Sequence, residues 1–211
     1  MPRGFDLEAA HAHLRRVDRR LASWISRLEP VAGESAWKRG FDPVDALARS
    51  ILYQQLSGKA ADTIIGRVEI ACAQRRLDAD ALSAISESDL RACGVSRAKA
   101  MALADLSAHA LRGELPSTRQ MARMDDETIV ERLVRVRGIG RWTAEMLLVF
   151  RLGRPDVLPL DDLGLRKGLQ RVDRLNDLPS RLDLAQRGEI WAPFRTLAAL
   201  YLWRVADSDL A

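Results

Sequence analysis

LVRVRGIGRWTAEMLLVF, residues 133–150, contains the strongest structural signal of the sequence. Two amphipathic helical patterns flank Gly138-Ile139-Gly140, and the connection between them is too short for an irregular loop. The glycines permit positive φ and leave their backbone N–H groups unshielded, while Ile139 is expected to turn inward and join the two helices. The segment therefore predicts a helical hairpin with a glycine turn, at about 127–152.

The chemistry of this turn suits an anion. N–H groups at a helix N-terminus point outward, and the helix dipole favours negative charge there. One phosphate of a nucleic-acid backbone fits this arrangement, and basic residues surround the turn: Arg132, Arg135, Arg137 and Arg141. Arginine is abundant throughout, at 29 of the 33 basic residues, so a plain hairpin with glycine caps stays open on this pattern alone.

The rest of the chain also follows a helical period of apolar residues. The pattern predicts a long first helix from about Asp6 to Leu28, a helix capped by Asp42, and further helices towards the C-terminus. Sustained two-residue alternation is lacking, so no sheet is expected. The predicted fold class is all-α, with an N-terminal helix and connection at 1–40 and a domain containing the hairpin at 41–211.

Composition restricts the class of protein. The net charge of +4 and the pI near 9.5 are compatible with a polyanionic partner. Apolar runs are too short to span a membrane, for which about 18 residues are needed, and the first residues lack a signal core. Cys72 and Cys93 are expected to be free thiols, and two cysteines cannot supply a four-cysteine metal site. We expect no metal and no cofactor.

A second informative segment, DVLPLDDLGLRKG, covers residues 156–168 and begins sixteen residues after Gly140. It sets Asp161 and Asp162 at the start of a helix, directly after an extended apolar stretch whose prolines disfavour helix. Aspartate is a good N-cap, so simple capping would explain the pair. A carboxylate used for chemistry would have the same sequence pattern.

The two segments together resemble the helix-hairpin-helix (HhH-GPD) superfamily of base-excision DNA glycosylases, in which a glycine hairpin precedes a Pro-x-Asp segment. More narrowly, residues 138–146 and 154–168 are similar to the DNA-3-methyladenine glycosylase II branch. Three further segments fit the same branch, and the similarity spans about residues 40–205: ILYQQLS at 51–57, GVSRAKA at 94–100 and WAPFRT at 191–196 with YLWR at 201–204. The resemblance implies two helical lobes with a cleft between them.

The resemblance also implies roles for individual residues. Asp162 would be the catalytic carboxylate, stabilising positive charge on the sugar of an everted nucleotide and orienting the attacking water. Asp161 would be its less critical neighbour. The implied pocket contains Trp142, Trp191 and Tyr53, although core positions stay open for both tryptophans. The implied DNA contacts lie in the turn at 53–56 and in the hairpin: Gln54, Gln55, Leu56, Gly138, Ile139, Gly140, Arg141 and Thr143.

Within the turn at 53–56, Gln55 or Leu56 would be the wedge that fills the space left by the everted nucleotide. We favour Gln55, because Leu56 continues an apolar helix face and is expected in the core. Superfamily members that also nick the strand have a lysine right after the hairpin, where this chain has Trp142. The expected activity is therefore that of a monofunctional glycosylase.

The expected partner is double-stranded DNA containing alkylated bases, bound by a monomer. The chain would act in the cytoplasm, at the nucleoid, if bacterial, and in the nucleus if eukaryotic. Two alternatives stay open: a non-catalytic helix-hairpin-helix DNA-binding module, and a bifunctional glycosylase/lyase. A module of the first kind would have no need of the Pro159-x-Asp-Asp162 segment.

Overall fold

The computed structural model describes residues 4–31, 37 and 39–209. Within these residues the chain is helical and has no strand, which confirms the all-α prediction. The chain divides into two compact units, one of residues 40–147 and one of residues 2–39 with 148–211. The predicted boundary near residue 40 stays a prediction. No helix in the described part of the chain is long and apolar enough to cross a membrane.

The unit of residues 40–147 contains eight helices in its described residues, and the hairpin is formed by the last two. They are α3 (Pro43–Tyr53), α4 (Gly58–Ala71), α5 (Ala79–Ala84), α6 (Glu87–Ala92), α7 (Arg97–Leu111), α8 (Thr118–Met121), α9 (Asp126–Leu133) and α10 (Arg141–Leu147), numbered after α1 and α2 of the other unit. Helix α3 begins as predicted, because the Asp42 carboxylate accepts from the backbone N–H groups of Val44 and Asp45 at 2.8 and 3.1 Å.

The other unit is built from helices and short helical turns around a shared apolar core. Its elements are α1 (Leu7–Val17), α2 (Arg19–Ile25), a π-helical turn (Leu148–Leu152), α11 (Leu163–Asp173), α12 (Arg181–Gly188), a 3₁₀ turn (Glu189–Trp191) and α13 (Arg195–Asp207). Helices α11 and α13 pack against each other over much of their length. The core between the helices contains Leu14, Leu21, Leu165, Leu169 and Leu202.

The prediction of one first helix from Asp6 to Leu28 is wrong, because the helix is interrupted at Asp18. That residue has extended backbone angles and ends α1, and its carboxylate caps α2 by accepting from the N–H groups of Arg20 and Leu21 at 3.1 and 3.0 Å. Asp18 is only 3% exposed, so the break is fixed by interactions inside this unit rather than by local helix propensity.

The segment before α11 is not helical, as its prolines predict. The side chain of Thr196 fastens it to the start of α13: the hydroxyl donates to the carbonyl oxygen of Arg154 at 2.6 Å and accepts from the N–H of Val157 at 2.9 Å. Asp156 adds an ion pair with Arg195 at 2.7 Å. These contacts hold the chain that leads into Asp161 and Asp162.

Candidate active site

The hairpin has the predicted glycine turn between α9 and α10. Gly138 has φ of +79°, and a Cβ atom built there would lie 2.9 Å from the Cβ atom of Ala102, so both the backbone angle and the space require glycine. Ile139 is 4% exposed and lies inward, as predicted. Gly138 and Gly140 are themselves exposed. The turn therefore presents backbone at the surface and is anchored by one buried side chain.

The four arginines near the turn have different surroundings. Arg132, Arg135 and Arg137 are exposed, whereas Arg141 is bonded to the carboxylate of Glu127 through Nη1 at 3.0 Å. The hydrogen bond raises the pKa of Arg141 and lowers the pKa of Glu127. To bind a phosphate of DNA, Arg141 would therefore have to release the carboxylate of Glu127.

Thr143, which is predicted to contact DNA, has a buried side chain. It is 5% exposed, so a contact through its side chain would require the surface of α10 to change. A helix packs one face inward, and residue 143 lies on the inner face of α10, between exposed Trp142 and buried Ala144. Trp142 is 45% exposed, so its position at the surface is compatible with the predicted pocket wall.

The turn at 53–56 follows the end of α3. Gln55 is exposed and has φ of +56°, which is uncommon for a residue with a side chain. Leu56 is 39% exposed, so the expectation that it belongs to the core is wrong. Helix α3 ends at Tyr53, before the apolar periodicity could carry residue 56 inward. Both side chains are exposed, so burial no longer favours Gln55 over Leu56 as the wedge residue.

Tyr53 and Gln54 precede Gln55, and the side chains of both make hydrogen bonds within the unit of residues 40–147. The Tyr53 hydroxyl donates to the carboxylate of Asp62 on α4, and this hydrogen bond raises the pKa of Tyr53. The side chain of Gln54 donates to the carbonyl oxygen of Gly138 at 3.0 Å. The structure thus brings the predicted wedge turn and the predicted phosphate-binding turn into direct contact.

The two neighbouring carboxylates differ sharply in environment. Asp162 is 9% exposed and is the N-cap of α11, where its Oδ1 accepts from the backbone N–H of Leu165 at 2.9 Å. The same oxygen accepts from the indole N–H of Trp203 at 2.9 Å. The side chain of Asp161 is 56% exposed and lies 3.5 Å from Arg181. Asp162 is therefore the oriented, poorly solvated carboxylate, and Asp161 is a surface one.

An aromatic pair beside Asp162 was missed by the sequence reasoning. The rings of Phe150 and Trp203 are stacked, with centroids 5.6 Å apart and planes inclined by 26°. Phe150 is 46% exposed, and Trp203 is partly buried against the backbone of Gly164. A Cβ atom at Gly164 would lie 2.9 Å from the Trp203 ring, so glycine permits this approach. The signal was present in the YLWR segment at 201–204.

Trp191 lies in the core, which was the alternative left open for it. It is fully buried, and its indole N–H donates to Oδ2 of Asp18 at 2.7 Å. Arg187 lies over the ring, with its guanidinium carbon 5.3 Å from the centroid. The predicted role of Trp191 as a pocket wall is not supported, because neither face of its ring is exposed to a base.

The chain is similar to several known proteins. A family model described as HhH-GPD superfamily base excision DNA repair protein matches residues 48–193. DNA-3-methyladenine glycosylase 1 of Schizosaccharomyces pombe is 35% identical over 204 residues, which cover 95% of this chain and 88% of that protein. DNA-3-methyladenine glycosylase 2 of Escherichia coli is 29% identical over 171 residues, covering 77% and 57%.

Two solved structures are similar over almost the full chain. The 3-methyladenine DNA glycosylase Mag1 of S. pombe, in complex with abasic DNA, superposes with a TM-score of 0.82 at 34% identity, covering 93% of this chain and 95% of that one. A DNA-3-methyladenine glycosidase from Bacillus halodurans superposes with a TM-score of 0.83, also at 34% identity, covering 93% and 88%.

Proposed function

The chain belongs to the HhH-GPD superfamily of base excision DNA repair proteins, and from this premise we propose that it is a monofunctional DNA glycosylase. It hydrolyses the N-glycosidic bond of alkylated purines of the 3-methyladenine type in double-stranded DNA. The observation that carries this proposal is the carboxylate of Asp162, held by two N–H donors beside a stacked aromatic pair. The proposal is also supported by the names of the relatives.

Asp162 would act on the sugar. Cleavage of a glycosidic bond passes through an oxocarbenium-like state with positive charge on the sugar ring. A fixed, poorly solvated carboxylate near the sugar stabilises this developing charge more than it stabilises the ground state, in which the sugar itself is uncharged. The N–H donors from Leu165 and Trp203 orient the group before the reaction, so little reorganisation is needed during it. The same carboxylate can orient the attacking water.

Phe150 and Trp203 would act on the base. Alkylation at N3 or N7 of a purine leaves the base cationic, and a cation over an aromatic face is stabilised by about 0.5–2 kcal/mol. A leaving group that already carries positive charge needs no general acid. The aromatic pair therefore accounts for preference among bases, while Asp162 accounts for bond cleavage. The pocket role expected for Trp142 stays a prediction.

The base reaches such a site only when its nucleotide is turned out of the duplex, which costs a few kcal/mol and least for a damaged base. The proposed grip on the strand is the Gly138–Gly140 turn with its exposed arginines. The proposed wedge is Gln55 or Leu56, both exposed in the turn at 53–56. We propose that a monomer suffices, since both turns and the carboxylate are present in one chain.

Absence of strand cleavage follows from the residue after the hairpin. Trp142 occupies the position at which the bifunctional members of the superfamily have a lysine, and an indole cannot form a Schiff base with the sugar. Lys59 and Lys167 are exposed side chains and are not proposed as nucleophiles.

The test is a panel of duplexes, each with one lesion, scored for free base released: N3-methyladenine, N7-methylguanine, ethenoadenine, hypoxanthine and N1-methyladenine. Release of a base, leaving an intact strand with an abasic site, supports the proposal. Tight DNA binding without release from any duplex would identify a non-catalytic module instead. A covalent adduct trapped by borohydride would identify a bifunctional enzyme and overturn the interpretation of Trp142.

A further inference from the structure

The turn at 53–56 contains a backbone conformation that needs external support. Gln55 adopts φ of +56°, a left-handed conformation that is strained for a residue other than glycine and persists where its surroundings over-determine it. Gln55 itself is exposed, so its own side chain does not supply the support through burial. The support must come from the residues on either side.

Lys99 supplies one part of this support. It lies in the first turn of α7, and its ammonium group donates to the carbonyl oxygens of Leu52 and Gln54, both at 2.7 Å. These carbonyls belong to the last turn and the C-cap of α3, where the helix dipole favours a cation. Burial lowers the pKa of Lys99. One side chain thus fixes the backbone on the near side of Gln55.

Gln54 supplies the second part. Its side-chain amide donates to the carbonyl oxygen of Gly138, 84 residues further along the chain. Ala102 packs close to Gly138, since a Cβ atom added at residue 138 would lie 2.9 Å from the Cβ atom of Ala102. Gln55 is therefore linked to the hairpin through the side chain of Gln54, and to α7 through Lys99.

We propose that Lys99 is a positioning residue for base eversion: it holds the turn at 53–56 in the conformation that presents the wedge, Gln55 or Leu56, to the DNA stack, and Gln54 couples that turn to the hairpin. This inference rests on the proposed function. Lys99 touches neither sugar nor base in the proposed mechanism, so its effect passes entirely through the turn. The wedge is needed only where a base must be removed from a paired stack.

This dependence gives a test that a purely structural role would not satisfy. Single-turnover release of 7-methylguanine is measured from two duplexes, one with the lesion paired to cytosine and one with the lesion opposite a tetrahydrofuran abasic analogue. Lys99→Met keeps the side-chain length and removes all donors. We expect it to slow release from the paired duplex about 10-fold or more, and release from the unpaired duplex by no more than about 2-fold.

Three further variants complete the experiment. Lys99→Arg retains donors and should restore most of the loss on the paired duplex. Arg97→Met removes an exposed cation from the same turn of α7 and should leave both rates unchanged. Gln54→Ala removes the bond to Gly138 and should reproduce the selective loss in smaller measure, which keeps the test available if Lys99→Met does not fold.

The outcomes are distinct. Equal losses on the two duplexes, or no loss on either for both Lys99→Met and Gln54→Ala, would overturn the positioning role. If the wild-type protein releases no base from these duplexes or from any duplex of the lesion panel, the proposed function itself fails, and the positioning role fails with it. A lesion that the wild-type protein does release from the panel replaces 7-methylguanine in the pair of duplexes if 7-methylguanine is not released. If Lys99→Met slows base release from the paired duplex alone, and Lys99→Arg restores most of that rate, the result supports both the proposed function and the positioning role.

Discussion

Replacing Trp203 with phenylalanine would remove one N–H donor from the carboxylate of Asp162 and keep an aromatic ring beside Phe150. Oδ1 of Asp162 accepts from the Trp203 indole at 2.9 Å and from the backbone of Leu165 at the same distance, so the substitution removes one of these two restraints. A hydrogen bond to a charged group contributes about 1.5–3 kcal/mol. We expect the unfolding free energy to fall by about that amount or less.

The effect on catalysis is estimated from the same bond. If its whole energy were lost from the transition state, base release would slow about 10- to 150-fold, at 1.36 kcal/mol per factor of ten. Part of the energy is already present in the ground state, and only the difference between the two states affects the rate. We therefore expect a fall of about 10-fold in the single-turnover rate at saturating enzyme.

Trp191→Phe is the matched control. Its indole also donates to a carboxylate, Oδ2 of Asp18 at 2.7 Å, but in the core. It should lower the melting temperature without slowing base release by the folded protein. If Trp203→Phe released base within about 2-fold of the wild-type rate, the indole would not orient Asp162, and this part of the mechanism would be refuted.

Three further predictions follow from named contacts. Gly138→Ala should weaken DNA binding in fluorescence anisotropy and lower the unfolding free energy by about 1–3 kcal/mol, because φ is positive; Gly140→Ala, with no atom within 4 Å of its added Cβ, should leave the unfolding free energy nearly unchanged. Phe150→Leu should slow release of cationic 7-methylguanine about 2- to 10-fold more than release of neutral hypoxanthine; equal losses would contradict the cation–π assignment. Burial opposes ionisation of Asp156, but hydrogen bonds from Arg195 outweigh it and lower the pKa of Asp156. The ion pair therefore stabilises the fold near neutral pH, and this contribution is lost as the pH falls through the folded-state pKa. Arg195→Met should lower the melting temperature at about pH 7 and by less as the pH falls below about 4, whereas an equal loss at every pH would exclude the ion pair as the cause.

The features that could be predicted from sequence are those set by neighbouring residues. Gly138-Ile139-Gly140 requires its turn whatever surrounds it, and a capping aspartate such as Asp42 marks a helix start through its own backbone contacts. The motif order around Asp162 carried the fold class and the family. These signals span a few residues each and depend little on distant packing.

The features that escaped prediction depend on contacts far apart in the chain. Asp18 interrupts the first helix and is held by a hydrogen bond from Trp191 and an ion pair with Arg187, which lie 173 and 169 residues away. Helical periodicity does not predict such distant contacts. Trp203 reaches Asp162 across 41 residues, so spacing alone does not connect them. Periodicity also placed Leu56 in the core because it does not show where α3 ends.

The central claim is that the negative charge at Asp162 cleaves the glycosidic bond, and Asp162→Asn tests it most directly. Asparagine is as good an N-cap as aspartate, and its amide oxygen can accept from the same two N–H groups, so the fold should persist. Removing the charge should slow single-turnover release of a lesion base about 100- to 1,000-fold, with DNA binding retained or improved. Wild-type release by Asp162→Asn, with loss in Asp161→Asn instead, would contradict the assignment.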